Sequence, residues 1–155
     1  MKNKEIEIKK SESGNDKVIS GWLKTAKVKD ALKNKGKNPT YWICSYKKKP
    51  VGLILSIPLS EECPDPLVPW VEEHTLWIDL LLMEKSSSAT ELLKEFTSSQ
   101  DKKVSALLAD PEVTNAELLS AYEEAGFIKV GTYVKGNGFF KGSPHYIMKL
   151  KLISN

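Results

Sequence analysis

The stretch "HTLWIDLLLM", residues 74–83, constrains the fold more than any other. It is an almost unbroken apolar run, far too short to cross a bilayer and too continuous for a strand with one wet face. Such a run is the signature of a strand buried on both faces, at the centre of a sheet with other layers packed against it. One residue interrupts it. A carboxylate at Asp79 is costly to bury without a partner, so it must open onto a cleft, meet a lysine, or sit at an exposed strand position. Strict strand alternation sets Trp77, Asp79 and Leu81 on one face and Ile78, Leu80 and Leu82 on the other. Facing a cleft, this carboxylate would bind or deprotonate an amine.

The flanking sequence supplies the rest of such a sheet. "EIEIKK" alternates Ile6 and Ile8 with charges and reads as a short strand, and residues 18–32 carry apolar residues at mostly helical spacing. "TYWICSY" and "VGLILSIPL", joined by the polar turn "KKKP", form a hairpin whose pairing weakens at Pro58. "EECPDPLVPW" reads as an irregular loop. In "SATELLKEF", Ser88 and Glu91 have capping-box spacing and Leu92, Leu93 and Phe96 form an apolar stripe; "KVSALLAD" is a further strand, closed by Asp110 and Pro111. "NAELLSAYEEAGF" is a helix with both ends marked: Thr114 and Glu117 match the capping box, Gly126 stands at the left-handed C-terminal position, and Phe127 packs back. "FIKVGTYV", the turn "KGNG" and "HYIMKLKL" close the chain as a hairpin. The order predicts a mixed α/β or α+β structure with one helix on each side of a central sheet, in a single domain spanning 1–155.

Composition narrows the function. All 23 basic residues are lysine, and without an arginine fork or aromatic interleaving a nucleic-acid partner is disfavoured. No run of about 20 apolar residues and no apolar leader segment are present, which points to the cytoplasm and away from a membrane. Cys44 and Cys63 lack the spacing of a disulfide framework or a zinc site, and Cys44 is expected to be a buried free thiol. His74 and His145 are expected to be exposed, with no metal site. Between 51 and 84 there is no lysine, while Glu61, Glu62, Asp65, Glu72, Glu73, Asp79 and Glu84 fall in that window; it is either a solvated acidic loop or a surface for a cationic ligand.

Two local features could carry chemistry. The junction from Lys85 through Ser86, Ser87, Ser88 and Ala89 to Thr90 leads a strand into a helix, where free N–H groups and the positive dipole end can seat a phosphate. It contains no glycine, and Glu84 and Glu91 add negative charge beside it. Tyr122 shares a helix face with Leu118, Leu119 and Ala125, a position that suits a core aromatic with its hydroxyl at the rim as well as a proton donor.

Beside this reading stands a resemblance. "WVEEHTLWIDLLL", "ELLKEF" and "ADPEVTNAELLSAYEEAGFIKVGTY" resemble the GCN5-related N-acetyltransferases (GNATs), in particular the branch of aminoglycoside 6'-N-acetyltransferases and siderophore lysine acyltransferases. The resemblance runs from Tyr41 to the C-terminus, with residues 1–40 looking shortened. It implies a mixed, mostly antiparallel sheet flanked by helices, with two splayed central parallel strands that hold acetyl-CoA. It further implies that Asp79 orients or deprotonates an acceptor amine, that Tyr122 protonates the departing thiolate, and that Asn115 hydrogen-bonds the cofactor. Backbone groups of Leu81, Leu82 and Met83 would hold the pantetheine, the 85–90 junction would take the pyrophosphate, and Trp70, Glu72 and Glu73 would receive a small cationic substrate. The partner is then a small-molecule amine, and the protein a monomer or homodimer. The glycine-free "EKSSSAT" departs from the family's glycine-rich loop, which leaves open a second reading: a catalytically degenerate GNAT-fold protein that binds a ligand or a protein.

Overall fold

The computed structural model describes residues 6–11, 40–59, 65–83, 89–134 and 141–152. Among the described residues seven strands form one sheet: β1 (Ile6–Ser11), β2 (Thr40–Tyr46), β3 (Lys49–Pro58), β4 (Thr75–Met83), β5 (Ala106–Ala109), β6 (Ile128–Val134) and β7 (Pro144–Lys151), in the spatial order β1-β2-β3-β4-β5-β7-β6. Every neighbouring pair is antiparallel except β4 and β5. A parallel pair needs a crossover. Helix α1 (Ala89–Ser98) lies in that crossover, and α2 (Ala116–Glu124) connects β5 to β6. The expected hairpins form, and the lysine turn closes the first of them with Lys47 and Lys48 at positive φ (50° and 67°), which suits a tight hairpin connection. The expected helix at 18–32, the capping residue Ser88 and the "KGNG" turn lie outside the described residues.

The apolar stripes decide the layers. One core face gathers Trp42, Cys44, Ile54, Ile78 and Leu107 from the sheet with Leu92, Leu93 and Phe96 of α1 and Leu119 and Tyr122 of α2. Burying the α1 residues, at about 1.5–3 kcal/mol each before entropy, is what holds a helix of 10 residues that would be marginal alone. Phe96 meets Trp42 edge-on at 5.2 Å, fixing the helix over β2. Both described helices pack on this one face and touch each other, rather than on one side each. The opposite face is covered by Ile57, Leu59, Leu67, Trp77, Leu108 and Ile147. Leu67 belongs to a 3₁₀ helix at Asp65–Trp70, where an irregular loop was expected. Proline φ values near −65° suit such a tight turn, which lets Pro69 sit inside it. Cys44 is a buried free thiol as expected, and burial pushes its pKa up to about 12. Among the described residues no helix is long and apolar enough to cross a membrane, and no group of three potential ligands could hold a metal ion.

Candidate active site

The β4–β5 ladder begins at Thr75↔Ala106 and ends at Ile78↔Ala109, while β4 runs on against β3 as far as Gly52↔Met83. Beyond Ile78 the two parallel strands therefore part. The segment after β5 is held by β7 instead: Tyr146 N–H donates to the Pro111 carbonyl at 3.0 Å, and Val113 N–H to that of Pro144 at 3.1 Å. A cleft of about 90 Å³ opens in the splay. Ile78, Asp79 and Leu81 line it from β4, Asp110, Pro111 and Glu112 from the segment after β5, Asn115, Leu118 and Tyr122 from α2 and its cap, and His145 from β7.

Asp79 reaches the cleft through a backbone irregularity. On β3 the register passes from Leu55↔Leu80 to Ser56↔Ile78, which leaves Asp79 as the extra residue of a bulge. The alternation expected from the sequence breaks there. Trp77 packs into the core opposite the helices, whereas Leu81 packs with Ile78 on the helical side, so Trp77, Asp79 and Leu81 do not share one face. The strand is fully buried up to Ile78, apart from the half-buried Leu76, and Asp79, Leu81 and Leu82 are only half-buried where the splay opens.

Helix α2 presents Asn115 and Tyr122 to the same cleft. Its N-cap is Asn115, one residue beyond the expected Thr114: the Asn115 side-chain oxygen accepts the Leu118 N–H at 3.1 Å, which leaves the amide NH₂ as a potential donor. At the other end Phe127 N–H donates to the Tyr122 carbonyl and Gly126 N–H to that of Glu123, both at 3.0 Å, with Gly126 at φ 106°. This pair of bonds is the Schellman closure, and it seats Phe127 edge-on to Tyr122 at 5.0 Å. Tyr122 is only 2% exposed, a core ring that also lines the cleft. Burial raises its pKa, and the negative charges of Asp110 and Asp79 raise it further, so the hydroxyl keeps its proton far above neutral pH.

A polar network that sequence reasoning missed builds the opposite wall. The buried Asp110 carboxylate accepts the Trp77 indole N–H at 2.9 Å and the Tyr133 hydroxyl, whose pKa is raised by burial and then by Asp110. Hydrogen bonds to a charged group contribute about 1.5–3 kcal/mol each, enough to offset much of the cost of burying it. His145, expected to be exposed, is 2% exposed, because β7 carries it under the Tyr133 ring at 5.7 Å. The absence of lysine from 51 to 84 gave no hint of these partners.

Other expected site residues lie elsewhere. Glu72 pairs with Lys149, and with Lys151 at 3.8 Å, and the Lys149 ammonium holds its carboxyl below the usual range. Glu73 is exposed beside His74, 3.4 Å away. Trp70 packs against the core opposite the helices, near Gly131. None of these three lines the cleft with Asp79. Ala89 packs on the core and the Thr90 hydroxyl donates to Glu124 at 3.1 Å, tying α1 to α2; Lys85, Ser86, Ser87 and Ser88 lie outside the described residues. The backbone of Leu81, Leu82 and Met83 pairs with β3 along one edge and faces the splay along the other.

Among the described residues the sheet is mostly antiparallel, with one parallel pair that splays over a cleft, and solved acetyltransferases, one of them of the GNAT family, share this fold. The aminoglycoside N(6')-acetyltransferase of Legionella pneumophila superposes with a TM-score of 0.70 at 20% identity, over 97% of this chain and 94% of that one. The aminoglycoside acetyltransferase AAC(6')-Ib, in complex with coenzyme A and kanamycin, gives 0.66 at 18% identity over 94% of each chain. A GNAT-family acetyltransferase from Streptococcus pneumoniae gives 0.64 at 14% identity, over 96% of this chain and 99% of that one. No protein-family model and no curated protein sequence matches the chain.

Proposed function

We propose that the protein transfers an acetyl group from acetyl-CoA to a primary amine of a small cationic molecule, by direct attack and without a covalent enzyme intermediate. The observation that carries this reading is the convergence of Asp79 and Tyr122 on one cleft at the strand splay. The residues present suit the thioester. The β4 edge that turns from β5 after Ile78 offers backbone groups to an extended chain such as pantetheine, and the Asn115 amide stands at the helix start beside it. Leu81, Leu82, Met83 and Asn115 would hold the ligand, with the 85–90 junction as the seat for its pyrophosphate.

Acetyl-CoA supplies an activated acyl carbon and a thiolate leaving group. Asp79 orients the acceptor amine and takes its proton, directly or through water. Tyr122 stays protonated under the combined effect of burial and two carboxylates, which suits it to protonate the thiolate. The carboxylates around the cleft favour a cation, and among the described residues no lysine lines it to oppose one.

The test is thiol release from acetyl-CoA with a panel of aminoglycosides, polyamines and lysine derivatives. Turnover with at least one cationic amine is expected, and Asp79→Asn should lower kcat by about 10²–10⁴ while leaving coenzyme A affinity unchanged. Unchanged turnover in that variant removes Asp79 from the mechanism. Coenzyme A binding with no transfer to any amine supports the binding-module reading instead.

A further inference from the structure

We infer that His145 is a positioning residue that holds the cleft open by satisfying the first carbonyl beyond the end of the parallel ladder; the inference rests on the acyl-transfer reading of that cleft. A splayed strand pair has a physical difficulty. Where β5 leaves β4 after Ile78↔Ala109, the next carbonyl along, that of Asp110, loses the ladder, and a buried carbonyl left unmet is costly. His145 Nδ1 lies 2.6 Å from that oxygen. A carbonyl only accepts, so Nδ1 carries the hydrogen, and in the neutral ring Nε2 accepts from the Ser143 hydroxyl 3.0 Å away. The carbonyl thus fixes the tautomer, and the Ser143 hydroxyl can turn to match it.

The same histidine ties the wall to β7. Its backbone bridges Glu112, its ring lies tilted against that of Tyr133, and the Tyr133 hydroxyl donates to the carboxylate of the very residue whose carbonyl His145 holds. Asp110 is therefore gripped by its carbonyl and its carboxylate, both from the β6–β7 hairpin. Without the Nδ1 donor, the Asp110 carbonyl must find water in the cleft or an amide of β4 across the splay. Either outcome puts a group into the cleft that Asp79 and Tyr122 line.

Two variants separate positioning from bulk stability. His145→Phe keeps a ring against Tyr133 but loses the donor, whereas His145→Asn loses the ring and keeps an amide N–H near the place of Nδ1. Coenzyme A affinity by calorimetry, the melting temperature, and amide exchange at 79–81 and 110–113 are read in both. The expected result is coenzyme A affinity about tenfold weaker in His145→Phe, with His145→Asn within about threefold of the parent even if it melts lower. Affinity that follows the melting temperature in both variants, or is unchanged in His145→Phe, overturns the inference. If the parent itself binds no coenzyme A, the acyl-transfer reading fails separately. Amide exchange then decides: altered exchange at 79–81 and 110–113 in His145→Phe but not in His145→Asn sustains the clamp, and equal changes overturn it.

Discussion

Asp79 and Tyr122 are both ambiguous as single letters, and the structure gives each two constraints at once. Tyr122 is a core ring against Phe127 and also part of the cleft lining, so replacing it with phenylalanine keeps the packing and removes only the hydroxyl. Tyr122→Phe should lower kcat by about 10²-fold or more while shifting the melting temperature by only a few degrees, measured by steady-state kinetics and calorimetry. A large loss of stability with kcat preserved would return Tyr122 to a purely structural role. Both residues were legible in the sequence because each breaks a local pattern or completes a familiar one. Asp110 and His145 were not: the Asp110 carboxylate meets Trp77 and Tyr133, and its carbonyl meets His145, partners 33, 23 and 35 positions away. No local periodicity encodes contacts of that span.

At the scale of elements, hydrophobic period placed the strands and helices, and it failed where the backbone departs from regularity. The Asp79 bulge adds one residue to β4, so strict alternation carried Leu81 to the wrong side. Layering was equally hidden, since an apolar stripe says that a helix packs and not on which face of the sheet. The cap of α2 shows how one residue can serve structure and ligand together. Asn115→Asp keeps an oxygen for the Leu118 N–H but removes the amide donor, whereas Asn115→Ala removes both. Asn115→Asp should retain the parent's stability and weaken coenzyme A binding, while Asn115→Ala should also lose about 1 kcal/mol in denaturant titration. Equal coenzyme A affinity in parent and Asn115→Asp would exclude the amide from the site.

Across the whole molecule, charge ties distant parts of the chain together. The acidic window holds no lysine of its own, and Glu72 finds Lys149 and Lys151 on β7. With its carboxyl held below the ordinary value of 4.5, Glu72 contributes stability that is complete above that value and is lost as pH falls through the lower folded one. A thermal comparison with Glu72→Gln should therefore show a small difference at neutral pH that closes only below pH 4.5. The opposite sign applies to Cys44, Tyr122 and Tyr133, all raised by burial. Their contribution is intact below the unfolded values of 9.0 for the thiol and 10.0 for the phenols, and it is lost as pH rises beyond them. Urea midpoints should hold steady to about pH 9 and then fall, and Cys44→Ala should delay the onset. These groups lie around the core and cleft that the acyl-transfer account requires. Calorimetric titration of the intact protein with acetyl-CoA tests that account most directly. The account predicts one site with micromolar or tighter affinity, and no heat of binding at millimolar ligand would contradict it.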